Sequence, residues 1–220
     1  MTRIKHVSDT HGKFPRLIGN FDIVVHTGDF CPNFVYGVDT EAYHQEMWLN
    51  TKIAEIEEWT LNKPLYFVLG NHDYISPAVF EATLRKHGIE AYDLTEKIVS
   101  HNNLTFYGFP YVPPINGKYA YELNAEQMAD RIDAMVAVAN VTYIDVIAAH
   151  CPPAGCLDYC FNQHKRFGNS GLSTGLDYKF SKDMLPSALL VGHIHTSHGV
   201  TMRNGVLVSN AATSQYTLEL

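Results

Sequence analysis

Five apolar runs, each followed by polar or glycine residues, constrain the fold of this chain more than any other feature of its sequence. The runs cover residues 4–7, 21–25, 65–69, 143–149 and 188–191. Continuous apolar runs of this length, rich in β-branched residues, are typical of strands that are buried on both faces of a sheet. The sequence therefore predicts five buried strands at the centre of the fold.

Helical patterns lie between several of these predicted strands. One long helix is predicted over Glu41–Leu61, where tryptophan and isoleucine recur near helical spacing. A second helix is predicted over Pro77–His87, with Ser76 as its N-cap. Asn124 is predicted to cap a third helix that continues to about Val138. Strands separated by helices indicate a layered α/β fold.

Strands become more frequent towards the end of the chain. Four further strands are predicted at 104–109, 199–202, 206–209 and 215–218. These late strands do not fit a single doubly wound sheet. We therefore expect two packed sheets with helices outside, in a single domain that spans residues 1–220.

The charge balance restricts the partners of this chain. Lys and Arg total 16 and Asp and Glu total 23, so the formal net charge is −7. This balance argues against non-specific binding to nucleic acid or to anionic membranes. It remains compatible with phosphate-bearing substrates, because bound cations would supply positive charge locally. Residues 1–7 show no apolar signal-peptide core and no run reaches the length of a membrane span, so we expect a cytoplasmic protein.

Three of the four cysteines lie within ten residues of one another, as Cys151, Cys156 and Cys160. Such a cluster could indicate a zinc site. Neither interval has the paired C-x-x-C spacing of common zinc sites, however. Reduced thiols in a cytoplasmic protein are the preferred interpretation.

Asp, Asn and His side chains follow all five predicted central strands. They are Asp9, His11, Asp29, Asn71, His150, His193 and His195. Ligands of α/β folds gather outside the carboxyl ends of strands, and two divalent metals about 3.5–4 Å apart need a similar inventory of side chains. Imidazoles suit Mn, Fe, Zn or Ni, and carboxylates can bridge two ions. Each residue alone has a common structural explanation, but their conjunction favours a dinuclear metal site.

These residues occur in blocks that resemble a known family. Asp9-Thr10-His11-Gly12, Gly28-Asp29, Gly70-Asn71-His72-Asp73, His150 and Gly192-His193-Ile194-His195 resemble the five signature blocks of calcineurin-like metallophosphoesterases. The resemblance implies a four-layer α/β/β/α sandwich of two mixed sheets flanked by helices. The ligands it implies for one metal are Asp9, His11, Asp29 and His195. Those it implies for the other metal are Asp29, Asn71, His150 and His193.

The resemblance also implies a mechanism, in which a metal-bridging hydroxide attacks phosphorus in line. Asp29 and Asn71 would hold the metals, of which manganese is favoured, and His72 would protonate the leaving group. Histidine suits that role because its ordinary pKa is near neutrality. A plainer alternative is that His72 only orients Asn71.

The sequence departs from the pattern of one branch of the family, which narrows the range of expected substrates. Protein serine/threonine phosphatases carry an arginine soon after the Gly-Asp block, whereas this chain reads Gly28-Asp29-Phe30-Cys31-Pro32-Asn33. The stretches His26-Thr27-Gly28-Asp29-Phe30 and His150-Cys151-Pro152-Pro153 resemble small metallophosphoesterase-domain phosphodiesterases. The resemblance implies a small phosphodiester substrate, which could be derived from a nucleotide.

Two alternatives remain. One is a phosphomonoesterase that acts on a phosphoprotein or a small metabolite, and basic groups beside the metals would favour it. The other is a non-catalytic scaffold, as in a retromer subunit of this superfamily. Scaffolds typically lose the acid histidine, whereas this chain keeps His72 and every expected ligand.

Two further segments could shape a pocket. Residues 106–121 hold six aromatic residues with several prolines and could stack on a base, although packing of the loop is the favoured interpretation. Residues 151–180 form a long connection, and long loops are often functional. Its His164, Lys165 and Arg166 could reach a phosphate or could be solvated.

Overall fold

A computed structural model gives the structure of residues 1–34 and 38–220. The strands of the described residues are β1 (Arg3–Val7), β2 (Ile23–Thr27), β3 (Leu65–Val68), β4 (Ala91–Asp93), β5 (Ile98–His101), β6 (Leu104–Phe109), β7 (Val146–Ala149), β8 (Tyr159–Cys160), β9 (Lys165–Arg166), β10 (Ala188–Val191), β11 (Gly199–Arg203), β12 (Val206–Asn210) and β13 (Gln215–Glu219). The α-helices are α1 (Val38–Thr51), α2 (Ile53–Trp59), α3 (Pro77–Lys86), α4 (Ala125–Ala139) and α5 (Ser170–Thr174). A short π-helix, Gly175–Lys179, follows α5.

The strands form two large mixed sheets. The five-stranded sheet has the order β13-β1-β2-β3-β4, with β1 to β4 parallel and β13 antiparallel to β1. The six-stranded sheet has the order β11-β12-β10-β7-β6-β5. Its four inner strands are parallel and its two outer strands are antiparallel to their neighbours. A separate hairpin is formed by β8 and β9.

Three apolar cores hold these layers together. Helices α1, α2 and α3 pack on the five-stranded sheet, for example through Leu49 and Phe80. Helices α4 and α5 pack on the six-stranded sheet, for example through Ile132 and Leu172. Between the sheets, side chains such as Val25 meet others such as Phe106 and Leu190. Such burial of apolar surface is the main stabilising contribution in folding. The protein is a four-layer α/β/β/α sandwich, which confirms the predicted fold class.

All nine predicted strands are present, and an end is shifted by two or more residues in two cases. The second begins at Ile23 and the predicted 143–149 strand begins at Val146. Strands β4, β5, β8 and β9 were not predicted. They have two to four residues each, and β5 is largely exposed. Periodicity over so few residues does not distinguish a strand from a loop.

The prediction of one long helix over Glu41–Leu61 is wrong, because the chain forms α1 and α2 with a break at Lys52. The Thr51 hydroxyl donates to Trp48 O (2.7 Å), which is the acceptor that Lys52 N–H would need to continue the helix. Lys52 N–H donates to Leu49 O instead (3.0 Å). This tighter i→i+3 bond turns the chain between the two helices.

The two predicted N-caps differ in their chemistry. Asn124 and Gln127 form a reciprocal capping box at the start of α4, so the predicted cap is confirmed. Ser76 occupies the N-cap position of α3, but its side chain makes no capping hydrogen bond. Pro77 follows at the first helical position, where a missing N–H has no cost. Within the described residues, no helix is long and apolar enough to cross a membrane.

Candidate metal centre

The predicted ligands lie in the loops that follow five strands, and these loops meet at one site. Asp9 and His11 follow β1, Asp29 follows β2 and Asn71 follows β3 in the five-stranded sheet. The remaining three ligands come from the six-stranded sheet, where His150 follows β7 and His193 and His195 follow β10. Both sheets therefore contribute to a single site at the carboxyl ends of their central strands.

Distances between ligand atoms show how closely these side chains meet. His195 Nε2 lies 3.1 Å from Asp9 Oδ1, and His150 Nε2 lies 3.0 Å from Asn71 Oδ1. Asp29 spans both sides of the site, since its carboxylate oxygens lie 3.8 Å from His11 Nε2 and 3.5 Å from His150 Nε2.

Two groups of these residues could hold a metal ion. One contains Asp9, His11 and His195, and the other contains Asp9, Asp29 and His150. Within each group the ligand atoms lie within 4.8 Å of one another. Asp9 belongs to both groups, whereas the family resemblance gives the shared position to Asp29. The His193 ring lies beside that of His150, with centroids 5.0 Å apart, so the structure brings together all seven predicted ligands.

Several ligand loops have an unusual backbone. Asp9, His11, Asp29 and His193 have φ angles of 54°, 44°, 56° and 66°. Non-glycine residues rarely adopt this left-handed region, which costs on the order of 1–3 kcal/mol and clusters at functional sites. Backbone hydrogen bonds between the loops stabilise this conformation. Examples are Asp9 N–H to Gly28 O (2.9 Å) and His11 N–H to Asp29 O (2.9 Å).

Glycines before two of the ligands allow the loops to approach closely. A Cβ on Gly70 would lie 2.3 Å from Asp29 Oδ1. A Cβ on Gly192 would lie 1.9 Å from Ser8 Oγ. These distances are too short for any side chain, so Gly70-Asn71 and Gly192-His193 require glycine for steric reasons.

The pKa values of Asp9 and Asp29 are shifted in opposite directions. For Asp9, burial disfavours the charged form, but hydrogen bonding from His195 and the proximity of His150 outweigh it and lower the pKa. For Asp29, burial and then the nearby Asp9 and Asp73 carboxylates raise the pKa well above its usual range. A cation beside Asp29 would relieve both causes.

The pKa values of three candidate histidine ligands are also shifted by their surroundings. Burial, followed by the proximity of His150, lowers the pKa of His193 to about 3, so its imidazole is neutral and able to ligate a metal. Burial likewise lowers the pKa of His11. The hydrogen bond to Asp9 raises the pKa of His195, so a metal there would compete with a proton.

The residues of the site fit divalent cations. His11 Nδ1 is buried and has no hydrogen-bond partner among the described residues. A buried polar atom of this kind needs an explanation, and an unassigned ion is one. The chemistry of the set agrees, because imidazole nitrogens and buried carboxylate oxygens are ligands that Mn, Fe, Zn and Ni accept.

Supporting residues that the sequence analysis did not identify hold the ligand loops. The buried Asp73 carboxylate accepts the N–H groups of Phe30 (3.0 Å), Cys31 (2.8 Å) and Gly70 (2.9 Å). It therefore ties the loop after β2 to the loop after β3. Ser8 Oγ similarly donates to Asp9 Oδ2 (2.6 Å). Asp73 was visible within a signature block, but its partners in the loop after β2 lie more than forty residues away in the sequence.

His72 lies at the edge of this centre. Its N–H donates to Asp29 Oδ1 (2.8 Å), and its ring centroid lies 5.3 Å from that of His11 and 4.8 Å from that of Tyr119. Burial, followed by the proximity of His11 and His150, lowers the pKa of His72 to about 4. The imidazole is therefore neutral at pH 7 in the protein alone.

A cleft of about 370 Å³ opens beside the candidate ligands. Its walls outside the ligand set include Ile115, Tyr119, Asn162, Gln163, Phe167 and Thr196. No lysine or arginine is found among the described residues that line it. Arg166, which was considered as a phosphate contact, forms an ion pair with the buried Asp158 instead.

The aromatic segment 106–121 has two parts. Phe106, Tyr107 and Phe109 belong to β6 and are buried in the cores, as the packing interpretation predicts. Tyr119, in contrast, reaches the cleft beside His72. Sequence periodicity could not distinguish the buried aromatic residues from Tyr119, because it did not show that β6 ends at Phe109 and that Tyr119 lies beyond the strand.

The other histidines and the cysteines have structural surroundings. His26 Nε2 lies 3.1 Å from Thr10 Oγ1, and His6 Nε2 lies 3.0 Å from Thr27 Oγ1. His198 is exposed and contacts Tyr216. All four cysteines are free thiols, and none belongs to a potential metal-binding group in the described part of the chain.

Comparisons with known proteins identify relatives of this chain. The chain is 28% identical to the UPF0046 protein K07C11.7 of Caenorhabditis elegans over 94% of its own length and 68% of that protein. It is 23% identical to human metallophosphoesterase domain-containing protein 1 over 96% of its length and 66% of that protein. The chain thus spans about two thirds of the length of these curated relatives.

Solved structures show the same fold. One crystal structure covers 96% of this chain and 90% of its own chain with a TM-score of 0.70 at 16% identity. The crystal structure of TT1561 from Thermus thermophilus covers 96% and 89% with a TM-score of 0.60 at 13% identity. The model of the calcineurin-like phosphoesterase family matches residues 2–197. The chain belongs to the calcineurin-like phosphoesterase family, a family of dinuclear metal-dependent phosphoesterases.

Proposed function

We propose that this protein hydrolyses a small phosphodiester with the help of two divalent metal ions, manganese being the favoured metal. The observation that carries the proposal is the convergence of the seven candidate ligands from both sheets beside a cleft of about 370 Å³. One metal would be held by Asp9, His11, Asp29 and His195. The other would be held by Asp29, Asn71, His150 and His193.

The lining of the cleft favours a diester over a monoester. A diester carries one negative charge near neutral pH, whereas a monoester carries nearly two, and sites for monoesters usually add basic groups. The described lining residues outside the ligand set are apolar, aromatic or neutral polar, as Ile115, Tyr119, Asn162 and Gln163 illustrate. The two metals would suffice to balance the single charge of a diester.

The metal ions, when bound, would polarise the phosphate oxygens and lower the pKa of the attacking water. In the reaction, the water oxygen bonds to phosphorus and the bond from phosphorus to the leaving oxygen breaks. The attacking water gives up one proton and the leaving oxygen takes one up, and we propose that an imidazole nitrogen of His72 delivers the proton to the leaving oxygen. Since burial lowers the pKa of His72 to about 4 in the protein alone, its imidazole is neutral there and would have to take up a proton before it could act as the acid.

The walls of the cleft indicate which diesters to test after the simplest ones. Tyr119 and Phe167 are aromatic rings on which a base could stack. Asn162 and Gln163 offer neutral hydrogen-bond donors and acceptors. Nucleotide-derived diesters are therefore the first natural candidates.

Hydrolysis of bis(p-nitrophenyl) phosphate and p-nitrophenyl phosphate, measured side by side in Mn²⁺ and in a chelator, tests the proposal. We expect metal-dependent turnover with a higher kcat/KM for the diester. A higher kcat/KM for the monoester would contradict the diester assignment. Absence of turnover despite two bound metals would contradict hydrolysis of simple diesters and support the scaffold alternative.

A further inference from the structure

We infer that Gln45, a residue of α1 outside every signature block, positions His72 for proton transfer to the leaving group. The inference rests on the proposed function, since it concerns the same cleft. It assigns a role to a helix that contributes no candidate ligand. Gln45 acts through His72 and is therefore a positioning residue.

Gln45 is fully buried, at 0% exposure, and within the described residues its side-chain hydrogen bonds go to one short segment. Nε2 donates to His72 O at 2.7 Å. Oε1 accepts the N–H groups of Tyr74 (2.7 Å) and Ile75 (3.1 Å). The amide thus holds three backbone groups of residues 72–75 at once.

These contacts complete the support of the His72 backbone. On one side the His72 N–H donates to Asp29 Oδ1 (2.8 Å), and on the other the His72 carbonyl accepts from Gln45. Among the described residues no hydrogen bond is made by the His72 ring itself, which only packs beside His11 and Tyr119. The position of the ring therefore depends on where its backbone is held.

Glutamine is the residue type that this arrangement requires. The contact needs one donor for a carbonyl and one acceptor for two N–H groups at the end of a long side chain. Glutamate would place a second acceptor against His72 O, and methionine would remove the side-chain partner of all three backbone groups. A mid-helix glutamine is usually solvated, but Gln45 lies one turn before the core residue Leu49 on the same side of α1.

The consequence for catalysis depends on the leaving group. Proton transfer requires the imidazole within about 2.6–3.2 Å of the leaving oxygen, and a displacement of about 1 Å can cost on the order of 10²-fold in rate. An acidic leaving group such as p-nitrophenol departs without a proton, whereas phenol or an alcohol does not. Loss of the Gln45 contact should therefore slow only esters with poor leaving groups.

The test compares kcat and KM for bis(p-nitrophenyl) phosphate and diphenyl phosphate in the manganese-loaded protein. The variants are Gln45→Met, Gln45→Glu, His72→Ala, Gln45→Met combined with His72→Ala, and the control Leu49→Ala. Leu49→Ala removes packing from the same helix. Gln45→Glu is the second variant if Gln45→Met does not fold.

We expect Gln45→Met and Gln45→Glu to lower kcat for diphenyl phosphate at least about tenfold more than for bis(p-nitrophenyl) phosphate, with KM and bound metal unchanged. Leu49→Ala should change both substrates by the same factor. The combined variant should be no slower than His72→Ala, because both substitutions remove one function.

Equal losses on both substrates, or a combined variant slower than His72→Ala, would overturn the role of Gln45 while wild-type turnover still supports the proposed function. If the wild-type protein hydrolyses neither diester, the proposed function fails first and the inference fails with it.

Discussion

The cleft has two walls that are built in different ways. The metal wall is the set of candidate ligands Asp9, His11, Asp29, Asn71, His150, His193 and His195, of which Asp29, Asn71, His193 and His195 line the cleft. It follows the ends of central strands, and its loops are linked by backbone hydrogen bonds, close glycines and the buried Asp73. The outer wall consists of Ile115, Tyr119, Cys160, Asn162, Gln163 and Phe167. It comes from the 110–124 connection and from the β8–β9 hairpin.

The outer wall has fewer constraints. Asn162, Gln163 and Ile115 are exposed. The hairpin is attached to the turn after His195 by Phe161 N–H to Thr196 Oγ1 (3.0 Å) and Ser197 Oγ to Tyr159 O (2.6 Å). Many contacts fix the positions of the loops in the metal wall, whereas only a few fix the segments of the outer wall. We infer that the metal wall determines the reaction and that the outer wall determines which ester enters.

The largest expected effect comes from the carboxylate at the centre of the metal wall. Asp29→Ala should reduce metal binding and lower turnover by more than the roughly 100-fold expected for loss of an outer-shell partner. Metal content and kcat on bis(p-nitrophenyl) phosphate measure this. Asp22→Ala, which removes a surface carboxylate paired with Arg3, is the matched control. Full activity of Asp29→Ala would contradict the assigned site.

The next largest effect is expected at His72, which lines the cleft at the edge of the metal wall. His72→Ala should lower kcat for esters with poor leaving groups by about 10²–10⁴-fold, the range of general acid catalysis, and leave both metals bound. Elemental analysis and steady-state kinetics test the two parts of this expectation. The exposed His198 provides a control as His198→Ala. Loss of metal from His72→Ala would show that His72 is a ligand or supports one.

A smaller effect is expected from the support of the metal wall. Asp73→Asn removes one of the two oxygens that accept backbone N–H groups, so manganese affinity should fall by about 10–100-fold. Calorimetric titration with Mn²⁺ measures the affinity. Asp145, which accepts Thr105 N–H (2.8 Å) near the opposite end of β7, provides the control Asp145→Asn. Equal affinity for Asp73→Asn and wild type would mean that the loops keep their geometry without this carboxylate.

The smallest effect is expected in the outer wall. Tyr119→Ala should raise KM for an aromatic diester about tenfold and leave kcat and metal content nearly unchanged, since base stacking contributes about 1–3 kcal/mol. Tyr178, an aromatic residue that is 83% exposed, provides the control Tyr178→Ala. A fall in kcat without a change in KM would place Tyr119 in the chemistry and remove the distinction between the walls.

The same contrast explains what the sequence could predict. Asp9, Asn71 and His193 were identified because a ligand after a buried strand leaves a local pattern, an apolar run followed by polar or glycine residues. Gln45 and Asp73 were not identified as supports, because the partners that reveal these roles, His72 for Gln45 and Phe30 for Asp73, lie 27 and 43 residues away in the sequence. Folding brings such partners together through tertiary packing.

The fold shows a similar limit. The central strands and the two packed sheets with helices outside were predicted from apolar and helical patterns, but the break at Lys52 depends on the hydroxyl of Thr51, which donates to a backbone acceptor of the helix. The hairpin of β8 and β9 has only two residues in each strand, so it left no periodic signal. Long periodic elements were predictable, whereas short elements and outer-wall residues depended on contacts between distant segments.

Anomalous diffraction at the manganese edge, from crystals grown in Mn²⁺, would test the two-metal centre most directly. The proposed function predicts two peaks, one contacting Asp9, His11 and His195 and the other contacting Asn71, His150 and His193, with Asp29 contacting both. A single peak, or a peak bound by other side chains, would contradict a dinuclear centre built from these seven residues.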